Sequence, residues 1–354
     1  MPSPDSRSGA RSLTKTLLPW YRRSRRDLPW RRTKNPYRVW VSEVMLQQTT
    51  VRAVIPYYRR FLARFPTLRT LARARIEPVL AAWSGLGYYR RARHLHAAAR
   101  IIETKHGGRF PRALDDVRAL PGIGRYTAGA IMSIAFGEKE PVLDGNVARV
   151  LSRLILLEGD PGSAENQKRL WDLARTLVEA AAEPGDLNQA LMELGAMVCS
   201  PIAPSCSVCP LSRRCAARAA GRQEEIPPPR RMRAPVTVRA AVALVSRRGR
   251  LLMRRRAGTG LMDGLWEFPP LPAGRARATR DDALRLRSLG RLATVRHTIT
   301  YRRIVVEVHR ARLISEPRGN RYRWVAPSET RRLPTSSLVP KILMRLHPAG
   351  RSGA

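Results

Sequence analysis

Acidic residues are scarce in this 354-residue sequence: 27 Asp and Glu stand against 66 Lys and Arg, a formal net charge of +39. That excess is beyond what solubility needs and points to a polyanionic partner, nucleic acid first. Lysine is scarce too, six of the 66 basic residues, so the charge is carried by arginine, whose fork suits phosphate contacts. Divided at Arg222, the two halves carry net charges near +19 and +20, so both are expected to approach the polyanion. No apolar run approaches the length of a membrane span, and the Arg-rich start lacks the apolar stretch of a signal peptide. A soluble, intracellular protein is therefore expected. Cysteine is confined to four residues between Cys199 and Cys215. In a reducing compartment such a cluster reads as metal ligands rather than disulfides.

At 44% hydrophobic residues the chain can bury more than one core, and its pattern predicts two domains. Residues 1–12 are polar and are expected to be disordered. Residues 13–220 carry Ala, Leu and Arg segments punctuated by Gly and Pro, which predicts an all-helical domain. Residues 221–235, with three consecutive prolines at Pro227 to Pro229, read as a semi-rigid linker. Beyond it, over 236–348, short β-branched runs such as Val236 to Val245 and Ile304 to Val308 predict a smaller, strand-rich domain.

Three segments carry chemistry. The spacing Cys199-x6-Cys206-x2-Cys209-x5-Cys215 lets four thiolates converge on one centre, zinc or an iron–sulfur cluster, and spacing alone does not choose between them. The turn Leu120-Pro121-Gly122-Ile123-Gly124 precedes a helix of small residues, where Gly122 and Gly124 permit close backbone approach and the helix start can hold a phosphate. Asp144 stands on a second turn ahead of another amphipathic helix, where an isolated aspartate would be read as a cap. Glu43, on a helix opened by Pro36, shares a face with Val39 and Gln47 and has apolar neighbours. Partial burial would raise its pKa towards that of a usable general acid.

The cysteine spacing resembles the 4Fe–4S loop of the endonuclease III and MutY glycosylases, and the glycine turn followed by Asp144 resembles the helix–hairpin–helix glycosylase superfamily. The string Trp40-Val41-Ser42-Glu43-Val44-Met45-Leu46-Gln47-Gln48-Thr49 resembles the MutY active-site helix. The resemblance implies a mainly α helix–hairpin–helix glycosylase domain with a 4Fe–4S loop at 199–215, one cluster per chain held by Cys199, Cys206, Cys209 and Cys215. It implies that Glu43 and Asp144 are catalytic and that Tyr126 positions Asp144. Bifunctional relatives carry a nucleophilic Lys at position 126, and tyrosine cannot form an imine, so a monofunctional enzyme is expected. Trp30, Arg31, Leu46, Val51, Asn146 and Gln189 would form the base pocket. Gln48, Thr49, Leu86 and Tyr88 would meet the base stack, the last two within Trp83-Ser84-Gly85-Leu86-Gly87-Tyr88-Tyr89, which is similar to the family's intercalating loop. The implied substrate is double-stranded DNA with adenine opposite 8-oxoguanine or guanine. A monomer is the default expectation, since one enzyme per lesion needs no symmetry, and a cytoplasmic, nucleoid-associated protein is expected.

Ala240 to Glu267 and Gly264 to Pro269 resemble the opening of a Nudix fold, implying an α+β Nudix-like C-terminal domain. A working Nudix enzyme needs a helix bearing several glutamates, whereas residues 270–292 hold only Asp281 and Asp282 as acids. A recognition module without nucleotide hydrolysis is therefore expected. Val295 to Tyr301 aligns with the family's lesion-reading loop, with Thr300 in place of its Ser and Ile299 and Tyr301 replacing its Phe and His. Thr300 and Tyr301 are the expected contacts to the base opposite adenine, with His297 a further candidate.

Overall fold

The computed structural model describes residues 6–229, 233–258, 262–271, 284–316 and 319–346. The chain divides into two compact units: Met1–Ala72 with His94–Arg231, and Arg73–Arg93 with Met232–Ala354. One boundary falls inside the expected linker. Two further boundaries, either side of residues 73–93, group that helical stretch with the C-terminal half.

Through residue 220 the described chain folds into twelve helices: α1 (Arg7–Ser24), α2 (Pro36–Leu46), α3 (Val51–Arg64), α4 (Leu68–Arg73), α5 (Ile76–Ala82), α6 (Tyr89–Lys105), α7 (Leu114–Arg118), α8 (Arg125–Phe136), α9 (Gly145–Leu154), α10 (Ala164–Glu179), α11 (Pro184–Met197) and α12 (Ala216–Ala219). The expectation of disorder up to residue 12 fails for residues 7–12, which are helical. Ser6 caps α1 by accepting the Gly9 N–H at 3.1 Å, and Ala10, Leu13, Leu17 and Tyr21 line its buried stripe. That stripe meets Val147, Val150, Leu151 and Leu154 of α9 and Leu187, Leu191 and Leu194 of α11 in one core. Each buried Leu or Val there contributes about 1.5–3 kcal/mol.

The turn between α7 and α8 forms as expected, closed by the Ile123 N–H on the Leu120 carbonyl at 3.1 Å. Gly122 has φ +77° and a Cβ there would stand 2.6 Å from His94 Cβ, so only glycine fits. Gly124 is different, with open space where its Cβ would be. Its place at the α8 N-cap leaves the first amides of that helix uncovered by any side-chain cap.

In the second unit, β1 (Val236–Leu244), β5 (Pro270–Leu271), β6 (Leu286–Ile299) and β7 (Arg302–Leu313) form a sheet in the order β5-β1-β7-β6, with β1 and β7 parallel and β6 and β7 an antiparallel hairpin. β2 (Ser246–Arg247), β3 (Arg250–Arg255), β4 (Trp266–Glu267) and β8 (Tyr322–Val325) form a second sheet around β3. Alternating Val306 and Val308 pack on Val295 and, from helix α13 (Leu338–Leu346), on Val339 and Ile342. Residues 272–283, which include Asp281 and Asp282, lie outside the described residues.

Candidate active site

The C-terminal part of α2, the turn before α9 and one face of α11 enclose a cavity of about 690 Å³. It gathers Trp30, Arg31, Glu43, Leu46, Gln48, Thr49, Val51, Tyr126, Asp144, Asn146 and Gln189, most of the residues singled out by sequence. Leu86, Tyr88, Gly122, Gly124, Thr300 and Tyr301 do not line it.

Asn35 caps α2 through its side chain and Pro36 opens it, so eight of its eleven residues, Glu43 among them, point into protein. Glu43 is only 5% exposed. Burial pushes its carboxyl up to about 7; the Tyr126 hydrogen bond opposes that rise, and the nearby Asp144 adds to it. Asp144 occupies the N-cap of α9, where its Oδ1 accepts the Val147 N–H at 2.7 Å and its Oδ2 accepts from Asn146 Nδ2 at 3.1 Å. The capping reading and the cavity reading are therefore both true of this side chain. Burial raises the Asp144 pKa, while the bonds from Val147 and Asn146 favour its charged form.

Tyr126 departs from expectation. Its hydroxyl donates not to Asp144 but to Glu43 Oε2, at 2.7 Å, with Met192 Sδ 3.2 Å away. It therefore orients the acid, and burial followed by the Glu43 charge raises its own pKa well above the usual tyrosine value.

Arg31 lines the cavity as expected and is held there by a carboxylate. Its Nη1 and Nη2 donate to the two oxygens of Glu193 at 2.9 and 2.8 Å, and Arg26 makes a second fork to the same carboxylate at 2.9 and 2.6 Å. Sequence reasoning missed Glu193 and Arg26. The available signal was a charged residue four positions after Gln189, between Met192 and Leu194 in the apolar second half of that helix. Burial pushes the Glu193 pKa up, but the Arg26 and Arg31 bonds outweigh it and bring it down to about 2. Glu193→Ala leaves Arg31 facing the cavity unpaired, and a loss of roughly 3–5 kcal/mol in unfolding free energy is expected by denaturant titration at neutral pH. The folded pKa is depressed, so this stabilisation is present above 4.5 and fades as pH falls through about 2.

Behind Asp144, α9 connects the cavity to the cysteine loop. Arg149 donates to Asn146 Oδ1 at 2.9 Å, to the Gly195 carbonyl at 2.7 Å and to the Cys199 carbonyl at 2.8 Å. One turn on, buried Arg153 donates to the carbonyls of Ser200 and Ile226, both at 2.7 Å, and lies 3.3 Å from Cys199 Sγ. Burial raises the Cys209 thiol to about 11, and Cys199, Cys215 and Cys206 all lie close enough to add to that rise. Among the described residues, no three Cys, His, Asp or Glu side chains converge tightly enough to hold a single metal ion.

Gln48, at the cavity rim, is exposed with φ +56°. In the second unit, Tyr88 has φ +49° and is 44% exposed, whereas Leu86, expected beside it at the DNA surface, is 7% exposed and takes the packing role. Both strained residues project side chains from backbone that L-residues seldom adopt. Thr300, with φ +53°, and Tyr301 form the tip of the β6–β7 hairpin. The Tyr301 ring has the Arg233 and Arg302 guanidiniums at 5.8 and 5.5 Å. His297 faces α13, its ring nitrogens 3.3 Å from Ser337 Oγ and from Lys341 Nζ, and so packs within the unit.

Residues 41–176 match the HhH-GPD superfamily of base excision DNA repair proteins, and residues 240–345 match a NUDIX domain. The chain is 42% identical over 308 residues to the adenine DNA glycosylase of Homo sapiens, covering 72% of this chain and 56% of that protein. It is 33% identical over 326 residues to the adenine DNA glycosylase of Schizosaccharomyces pombe, covering 75% of this chain and 70% of that one. It thus spans little more than half the length of the human relative. Among solved structures, a thermostable thymine-DNA glycosylase is similar at TM-score 0.55 and 32% identity, covering 60% of this chain and 98% of that one. A non-covalent endonuclease III–DNA complex shares the fold at TM-score 0.51 and 22% identity, covering 62% of this chain and 99% of that one. Among the described residues no helix is long and apolar enough to cross a membrane.

Proposed function

Because this chain belongs to the MutY-type adenine glycosylase family of the HhH-GPD base excision repair superfamily, we propose that it hydrolyses the N-glycosidic bond of adenine mispaired with 8-oxoguanine or guanine. The observation that carries this reading is one cavity holding two differently supported carboxylates. Glu43 keeps its proton to about pH 7, and Asp144 has its charge supported by an amide N–H and Asn146.

Glu43 delivers its proton to adenine N7, so the bond to the sugar breaks with adenine leaving as a neutral molecule. The electron-poor, oxocarbenium-like sugar forms opposite the Asp144 carboxylate, which stabilises it directly or through a transient ester. Glu43, now ionised, takes a proton from the water that completes hydrolysis, and the products are free adenine and an abasic site. Tyr126 has no amine with which to trap the sugar, so the strand stays whole. Trp30, Leu46 and Val51 provide apolar walls. Arg31, held by Glu193, is a fixed wall of the pocket rather than a mobile reader of the base. Gln189 donates only a 3.3 Å bond to the Gly185 carbonyl, which leaves its amide oxygen for an adenine edge.

Gln48 and Tyr88 wedge into the duplex, Thr49 stands at the cavity rim, and the amides after Gly122 and Gly124 receive a phosphate. Thr300 and Tyr301 contact the base opposite adenine, and the C-terminal unit reads DNA without hydrolysing nucleotides. The cysteine loop holds a 4Fe–4S cluster. Cys199, Cys206 and Cys215 all lie near enough to Cys209 to raise its pKa, so four soft sulfur donors are gathered in one loop, the donor set that a 4Fe–4S cluster takes. When bound, such a cluster supplies structural support to the loop, and about four irons and four sulfides per chain are expected on analysis of purified protein.

The test is base release from duplexes carrying adenine opposite 8-oxoguanine, adenine opposite guanine, or an oxidised thymine. Free adenine from the first two, with strands uncut until alkali is added, is the expected result. Release of oxidised thymine, or cleavage before alkali, would replace this reading with that of an endonuclease III-like enzyme.

A further inference from the structure

Tyr88 stands on a turn that is expensive to hold. Gly85 and Gly87 have φ +96° and +77°, and Tyr88 itself has φ +49° with its ring 44% exposed. Such a conformation persists only where the surroundings over-determine it. Part of that hold is local: Trp83 Nε1 donates to the Gly87 carbonyl at 3.1 Å, and the Arg91 guanidinium lies 5.7 Å from the Trp83 ring and 5.1 Å from the Tyr88 ring.

The rest comes from the far end of the sequence. The Thr335 carbonyl accepts both the Ser84 hydroxyl and the Tyr89 hydroxyl, each at 2.6 Å, and the Thr335 N–H returns a 3.3 Å bond to Ser84 Oγ. Tyr89 Oη also accepts the Gly85 N–H at 3.1 Å, closing the turn on itself. Thr335 is 4% exposed and forms a bridge with Trp266 of β4, whose N–H donates to the neighbouring Pro334 carbonyl at 2.8 Å. The tied residues thus bracket Tyr88 on both sides, Ser84 and Gly85 before it and Tyr89 after it. Its own hydroxyl takes no part.

We propose that Tyr89 and Ser84, anchored on the Thr335 main chain, are positioning residues that preset the Tyr88 ring for insertion into duplex DNA. The C-terminal half thereby controls an element encoded some 250 residues earlier. This rests on the reading of Tyr88 as a wedge. The energetic logic is pre-organisation: a ring already presented in the inserted geometry loses little freedom on binding, whereas a relaxed turn must be reordered each time.

The experiment uses the full chain and a duplex with adenine opposite 8-oxoguanine beside a 2-aminopurine, whose fluorescence rises on unstacking. It follows that rise and single-turnover adenine release together. Tyr89→Phe keeps the ring and removes both hydroxyl bonds. It is expected to lower the unstacking signal and the release rate roughly tenfold, with affinity for undamaged duplex unchanged within about twofold. Ser84→Ala is expected to act in the same direction and carries the test if Tyr89→Phe melts early. Tyr88→Ala should abolish the unstacking signal, and adding Tyr89→Phe to it should cost nothing more, an epistasis that a general structural role would not produce. Normal unstacking in both Tyr89→Phe and Ser84→Ala, with Tyr88→Ala defective, overturns the positioning role alone; so does additivity in the double variant. Normal unstacking in Tyr88→Ala overturns the wedge reading itself.

Discussion

Replacing Glu43 by Gln is expected to slow adenine release by about 10²–10⁴-fold while affinity for the mispaired duplex stays within about threefold. Glutamine fills the same space and can still accept the Tyr126 hydroxyl bond, so the cavity keeps its shape and loses only its transferable proton. Single-turnover release alongside a binding titration separates the two quantities. The same variant has a second signature. The folded pKa of Glu43 is raised from 4.5 to about 7, so ionising this buried carboxyl in the folded protein carries a cost. That cost is absent below 4.5, grows as pH rises, and reaches about 3 kcal/mol above 7. Glu43→Gln removes it, so the variant should melt higher than the parent above neutral pH and no higher in acid. An enzyme made slower and more stable by one atom exchange is what a functionally strained carboxyl predicts.

Asp144→Asn is expected to lower release by about 10²–10³-fold, the scale of removing one pre-organised electrostatic partner of a transition state. Because Asp144 is also a helix cap, the choice of replacement decides what is learned. Asparagine caps as well as aspartate, so Asp144→Asn should leave the melting temperature close to the parent's, whereas Asp144→Ala should additionally lose about 1 kcal/mol of stability. If the two variants lose activity equally and only the alanine loses stability, charge is the catalytic quantity and the cap is the scaffold. Activity persisting in Asp144→Asn would confine this residue to capping.

The helical frame was legible because its signals are local: Pro36 opens α2, and Gly122, with its positive φ and His94 against it, can be nothing else. Glu43 and Asp144 were legible for the same reason, each sitting within a short motif on one element. What escaped depends on residues far apart in sequence. Glu193 matters because Arg26 and Arg31, more than 160 positions earlier, close on it. Tyr126 orients Glu43 rather than Asp144 because α2 and α8 pack together, which no spacing within α8 reveals. The start of α1 was misjudged because polar residues there outnumber apolar ones, yet the few apolar ones fall on one buried face. Likewise nothing within the Trp83–Tyr89 segment announces Thr335, whose carbonyl accepts the Tyr89 and Ser84 hydroxyls from the far end of the sequence.

The most direct test of the account is the pH profile of single-turnover adenine release, compared with that of Tyr126→Phe. The acid must be protonated to act, so the rate of the parent should fall as pH rises through about 7, the value to which burial pushes Glu43. The Tyr126 hydroxyl bond lowers that value, so removing it should move the falling limb to higher pH. A profile flat across neutral pH, or a limb that moves to lower pH in Tyr126→Phe, would contradict Glu43 as the proton donor.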